Sequence, residues 1–248
     1  MRAQAVKLLR ALSRRFGVDL VRHDPLRSVE QRRLRLLRER NVDLVLDVGA
    51  NVGQYGEGLR RSGYQERILS FEPLSSAFSA LQARASSSGP WECKPLALGA
   101  HEGEIELNVA GNSYSSSVLP MLERHVALEP GSAYVSSERV RLRRLDDVMS
   151  RLQAHAGNTF LKLDVQGFEG QVLDGAPETL RQVVGVETEL SLVPLYQGQA
   201  LFAELIGRLG EAGFALVSID PGFADRTSGQ ILQVDGIFVR PLSSRTGA

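Results

Sequence analysis

From Val42 onward the chain alternates short, β-rich apolar runs with longer stretches of helical period, the pattern of repeated βαβ units around a parallel sheet. Strands are predicted at 42–48, 67–72, 91–98, 160–165, 183–190, 215–220 and 230–240, with helices at about 53–62, 75–86, 167–180 and 200–212. Gly63 and Gly213 fall where helix ends need a left-handed residue. Residues 103–109 read as one arm of an extra hairpin, followed by a serine-rich loop at 112–117. Ahead of this pattern, residues 1–40 are polar and arginine-rich. Their apolar positions, Val6, Leu9, Leu12 and Phe16, then Leu34 and Leu37, have the spacing of amphipathic helices. Asp24-Pro25 divides this segment in two, because proline disfavours helical geometry in the residue before it. The expected organisation is a helical extension, 1–40, and one α/β domain, 41–242.

The last two predicted strands are joined by only nine residues, 221–229. A parallel crossover needs a dozen or more, so these strands are antiparallel. The expected fold is a Rossmann-like α/β sheet of seven strands, mostly parallel, with an antiparallel last strand at the edge and helices on both faces. A reversed final strand separates the class I methyltransferase type of sheet from the all-parallel dinucleotide-binding type.

Composition narrows the function classes. A chain of 248 residues with 43% hydrophobic side chains can bury one sizeable core. Its formal charge of zero supplies no global attraction to nucleic acid or an anionic membrane. Cys93 is the only cysteine, which excludes an intramolecular disulfide framework and a multi-cysteine zinc site and suits a reducing cytoplasm. No run of about 18 apolar residues marks a membrane span. Membrane contact is thereby limited to a peripheral touch of the basic N-terminal helices, and a solvated face packed on the main domain is the plainer reading.

Strand 42–48 carries Asp47 near its end and is followed by the turn Gly49-Ala50-Asn51-Val52-Gly53, which leads into a helix. Open α/β sheets bind ligands at the carboxyl ends of their strands, and glycines there let the backbone approach closely. A dinucleotide site uses G-x-G-x-x-G, whose free amides cradle a pyrophosphate. Here the spacing is G-x-x-x-G, preceded by an aspartate that repels phosphate. S-adenosylmethionine has no phosphate and carries an ammonium and a sulfonium, which an acid at Asp47 suits. The second strand ends in Glu72, 25 residues later, where a carboxylate can accept hydrogen bonds from both ribose hydroxyls. The expected cofactor is therefore S-adenosylmethionine, on Asp47, Gly49, Ala50, Asn51, Gly53 and Glu72.

Lys162 and Asp164 share one face of strand 160–165, and Glu187 and Glu189 share one face of strand 183–190. Charges in central strands are costly unless paired, and a Lys162–Glu187 ion pair accounts for two of the four. Asp164 and Glu189, nearer the mouth, remain for chemistry. Methyl transfer to a hydroxyl needs alignment and a proton acceptor. Asp164 is the first choice for that base, Glu189 the second and His125 the third. Alternatively, Asp164, Glu187 and Glu189 hold a magnesium ion. Glu169 fits as an acid at a helix N-terminus, and His23, His101 and His155 read as surface residues.

These residues resemble the FkbM family of S-adenosylmethionine-dependent methyltransferases. The matching segments are Asp47 to Gly53 with Tyr55, Phe71-Glu72-Pro73, Ala97-Leu98-Gly99 followed by Glu102-Gly103, Ser115 to Ser117, Leu145-Asp146-Asp147, and Lys162 to Glu169 with Leu173 and Gly175. Together they cover about residues 42–190. The resemblance adds Tyr55, Pro73 and Asp164 to the cofactor site. It implies O-methylation of a sugar hydroxyl, in a glycolipid, polysaccharide or glycosylated natural product, or of a polyketide hydroxyl. One departure stands out: Gln166 occupies the position of glutamate in the family's D-V-E-G motif. Other readings are an N-methyltransferase, disfavoured because no D-P-P-Y type of turn follows strand four, and a noncatalytic Rossmann-like module or NAD enzyme.

Overall fold

The computed structural model describes residues 9–18, 20, 28–151 and 158–241. Val6, His23, Asp24-Pro25 and His155 lie outside them. Leu9, Leu12 and Phe16 are exposed. Helix α1 (Val29–Glu39) begins at Ser28, whose hydroxyl accepts from the Gln31 amide. Its Leu34 and Leu37 are buried in a cluster with Val42, Val45 and Phe160.

In chain order the strands are β1 (Val42–Val48), β2 (Arg67–Phe71), β3 (Trp91–Lys94), β4 (Ala97–Leu98), β5 (Gly103–Ala110), β6 (Tyr134–Arg143), β7 (Asn158–Leu163), β8 (Gly185–Ser191), β9 (Ala215–Pro221) and β10 (Gln233–Val239). The remaining helices are α2 (Gln54–Ser62), α3 (Ser75–Ala85), α4 (Glu123–Leu128), α5 (Leu145–Arg151), α6 (Glu169–Asp174), α7 (Pro177–Gln182) and α8 (Phe202–Glu211). Seven strands form one sheet in the order β3-β2-β1-β7-β8-β10-β9. Apolar clusters cover both faces, with Leu46, Val48, Leu161 and Leu163 on one side and Val45, Ile68 and Phe160 on the other. This two-sided burial is what a parallel sheet requires.

The antiparallel last strand is present, but it lies one place in from the edge. β10 pairs antiparallel with both β8 and β9, and β9 supplies the edge. Burial explains the order. Val234, Ile237, Phe238 and Val239 are all buried, whereas β9 leaves Val217 and Ile219 about half exposed, at 53% and 49%.

Three further departures have local causes. The predicted strand 91–98 breaks at Pro95, which has no amide to donate; β4 then leaves the main sheet for a second sheet of order β4-β6-β5. The hairpin arm 103–109 is β5, and its partner β6 follows only after residues 111–133. The predicted helix 167–180 divides at Gly175-Ala176-Pro177, with Pro177 opening α7. Gly175 packs so closely that a Cβ there would lie 2.0 Å from the Gly99 carbonyl oxygen. No described helix is long and apolar enough to cross a membrane.

Candidate functional site

The strand register sets two polar ranks on one face of the sheet. The deeper rank runs Ser70, Asp47, Lys162, Glu187 across β2, β1, β7 and β8. The rim rank stands two residues further along the same strands, at Glu72, Gly49, Asp164 and Glu189, and Asp235 of β10 is the register partner of Glu189.

In the deeper rank, Asp47 is fully buried. Ser70 Oγ donates to its Oδ2 at 2.9 Å, and Lys162 Nζ lies 3.7 Å from its Oδ1. Burial pushes the Asp47 carboxyl up, and Lys162 opposes that shift. Burial alone would lower the Lys162 ammonium; Asp164, whose Oδ2 is 3.1 Å away, and Asp47 hold it above its ordinary value. The expected Lys162–Glu187 pair is replaced by another. Arg33 of α1 grips Glu187 through Nε, at 2.7 Å, and through Nη2. Tyr55 Oη donates to the same carboxylate at 2.8 Å, and the Arg33 guanidinium carbon lies 4.8 Å from the Tyr55 ring centre.

In the rim rank, Glu72 accepts from the amides of Asn51 and Leu74, both at 2.8 Å, and so fixes the glycine turn. Burial pushes its carboxyl up to about 7. Gly49 has φ +77°, and a Cβ there would lie 1.8 Å from the Asp164 carbonyl oxygen, so the residue type is set by backbone packing. Gln166 Nε2 donates to Asp164 Oδ1 at 2.9 Å and to Glu189 Oε2 at 3.3 Å. Gln233 Nε2 reaches Glu189 Oε2 at 2.7 Å, and Tyr196 Oη donates to Gln166 Oε1 at 2.9 Å. Burial, then Asp164, Glu169 and Asp235, holds Glu189 well above the ordinary carboxylate range. Burial and Asp164 push Asp235 to about 6. Glu169 accepts from the amides of Val165 and Gly167, capping the turn after β7.

These ends line a cleft of about 210 Å³. Gly49, Ala50, Asn51, Tyr55, Glu72, Pro73, Asp164 and Glu187 line it, together with Leu96 to Leu98, Gln166, Asp235 and Arg33. The serine loop closes over it with Ser113, Tyr114 and Ser116, and Ser117 Oγ donates to the Gln166 carbonyl at 2.7 Å. Two expected cofactor residues stand behind the lining. Asp47 faces Ser70 and Lys162, and Gly53 faces Leu81 and Trp91. His125 is buried elsewhere, its ring edge-on to Tyr196 at 5.2 Å, and burial lowers its pKa. His101 is exposed, as expected.

The magnesium arrangement does not fit. Glu187 is taken by Arg33 and Tyr55, and no group of three His, Cys, Asp or Glu side chains among the described residues is placed to hold a metal ion. Arg33, Gln233, Asp235 and Tyr196 escaped sequence reasoning. Arg33 had a readable signal, since it precedes the buried Leu37 by four residues and so shares its helix face.

The model of the Methyltransferase FkbM domain matches residues 47–216, over two thirds of the chain. The chain belongs to the FkbM methyltransferase family. It is an S-adenosylmethionine-dependent methyltransferase with the class I fold described above. Among solved structures, this FkbM methyltransferase is similar to a TehB-like S-adenosylmethionine-dependent methyltransferase from Corynebacterium glutamicum, at 11% identity over 96% of this chain and 97% of that one, TM-score 0.40. It is also similar to an S-adenosylmethionine-dependent methyltransferase from Mesorhizobium loti, at 8% identity over 88% and 100%, TM-score 0.42. A glycopeptide N-methyltransferase solved with S-adenosylmethionine aligns at 12% identity over 85% and 87%, TM-score 0.40. A search of curated proteins finds no match. The FkbM match begins at Asp47 and ends in β9, so α1 with Arg33 and β10 with Gln233 and Asp235 lie outside it.

Proposed function

We propose that this FkbM methyltransferase methylates a hydroxyl of a sugar, in a glycolipid, oligosaccharide or glycosylated natural product, or of a polyketide, with Asp164 as the base. The observation that carries this reading is the exposure of Asp164. Its side chain is 41% exposed at the cleft, while Lys162 and Gln166 hold its two oxygens. The donor set fits S-adenosylmethionine. Glu72 stands at the end of β2 for a ribose, Leu96 to Leu98 offer an apolar wall, and the acids of β7, β8 and β10 complement a cation. Bound there, the cofactor supplies a methyl group on a sulfonium.

Asp164 accepts the proton of the acceptor hydroxyl as that oxygen gains the methyl group, and Lys162 holds the carboxylate in position. Gln166 fixes its second oxygen from the other side. Ser113, Ser116 and the exposed ring of Tyr114 at the mouth suit a polyhydroxylated acceptor, which presents hydroxyls and an apolar ring face together. The test is transfer of labelled methyl to a panel of sugar and polyketide alcohols. Asp164→Asn should lower turnover roughly 10²- to 10⁴-fold while changing S-adenosylhomocysteine affinity by less than about threefold. Retained turnover removes Asp164 as base, and label found on nitrogen overturns the hydroxyl reading.

A further inference from the structure

The cleft acids that favour a sulfonium and an ammonium oppose the third charge of S-adenosylmethionine, its α-carboxylate. A carboxylate brought beside Asp164, Glu187 and Asp235 needs a cation. Among the described residues lining the cleft, the cations are Lys162 and Arg33. Lys162 is committed: it is buried between Asp164 and Asp47 and sits below the rim. Arg33 is differently placed. Its Nε and Nη2 engage Glu187 and its plane lies over Tyr55, which fixes the guanidinium, while Nη1 takes no protein acceptor among the described residues.

Strand order also puts Arg33 at the right end. Glu72 follows β2, and Glu187 lies on β8, three strands away in the order β2-β1-β7-β8. Three strand spacings are about 14 Å, so Glu72 and the Glu187–Arg33 pair stand toward opposite ends of the cleft that they line. With the ribose at Glu72, the amino-acid end points toward β7 and β8.

Building on the S-adenosylmethionine reading, we infer that Arg33 binds the cofactor's α-carboxylate, so that a helix outside the family-matched region completes the cofactor site. Arg33 is thus a binding residue, preset by Glu187 and Tyr55.

The test compares two ligands on the full chain by calorimetry: S-adenosylhomocysteine and its decarboxylated analogue, which differ only in the carboxylate. The native protein should prefer S-adenosylhomocysteine roughly 10- to 100-fold, as a charge-assisted hydrogen bond in a partly buried site allows. Arg33→Gln should reduce that preference to within about threefold by removing the charge, with the analogue's affinity little changed. Because Arg33→Gln leaves Glu187 without its cation, the double variant Arg33→Gln/Glu187→Gln is measured beside it and should show the same collapse. A preference that survives in either folded variant, or no preference in the native protein, overturns the assignment. If the native protein binds neither nucleoside, the cofactor reading fails and this inference falls with it.

Discussion

Asp47 and Asp164 flank the same ammonium, Lys162 Nζ, at 3.7 and 3.1 Å, yet one is fully buried and the other is 41% exposed. The contrast extends along both ranks. Below the rim, Asp47 meets Lys162 and Ser70, and Glu187 meets Arg33 and Tyr55, so each acid has a cation beside it. At the rim, Asp164, Glu189 and Asp235 stand at the successive neighbours β7, β8 and β10; Asp164 shares Lys162 with Asp47, and neutral amides, Gln166 and Gln233, hold its second oxygen and Glu189. An uncompensated charge costs several kcal/mol in the interior and far less beside water. The interior therefore balances its charges and fixes the frame, while the rim turns Asp164 and Asp235 toward the cleft.

The strongest way to break this arrangement is at Gly49, where β1 contributes no side chain to the rim. Gly49→Ala drives a Cβ into the Asp164 carbonyl and keeps a left-handed φ. It should cost about 4 kcal/mol or more in urea unfolding; a variant with near-native stability means the two strand ends are not locked together. Next comes the direct comparison of the ranks. Asp47→Asn leaves Lys162 with one of its two acids and should destabilise by about 3 kcal/mol. Asp164→Asn, at the exposed end of the same ion pair, should cost under about 1 kcal/mol while removing turnover. Equal stability losses would erase the distinction between the ranks.

Acids that cap backbone amides sharpen it further. Burial raises Glu72 and Glu169 to about 7, against about 4.5 for a free carboxyl. The folded state then holds more protons than the unfolded one between those two values, so stability falls as pH rises from about 4.5 to 7 and levels off above. Unfolding at pH 5 and pH 8 should differ by about 2 kcal/mol for each group. Glu169→Gln should remove its share; an unchanged pH slope would show that Glu169 is ionised in the fold without penalty.

How much of this was legible follows from range. Asp47 to Gly53 and Glu72 were readable because one strand, one turn and a fixed spacing define them. The shared face of Lys162 and Asp164 followed from period two alone. Period gives the face but not the depth, which is why Asp47 was expected at the ligand and stands behind the lining. Arg33 and Asp235 depend on long-range docking: Arg33 lies 154 residues before Glu187 in sequence, and Asp235 reaches Glu189 only because β10 inserts beside β8. The second sheet was half visible, since β6 is mostly polar and far from β5.

The smallest effect concerns Gln166, which stands where the family motif has glutamate. Its backbone is left-handed, φ 52°, and its amide faces two acids at once, Asp164 and Glu189. Gln166→Glu withdraws both donated hydrogen bonds and brings a third carboxylate against a pair already rich in negative charge. Loss of a donor and gain of a like charge both disturb the hold on the second oxygen of Asp164. Gln166→Glu should lower turnover about 3- to 10-fold, with S-adenosylhomocysteine affinity changed by less than about threefold. Turnover that stays at the native level would show that the neutral amide does not govern the base, and the rim acids would then be set from β8 and β10 instead.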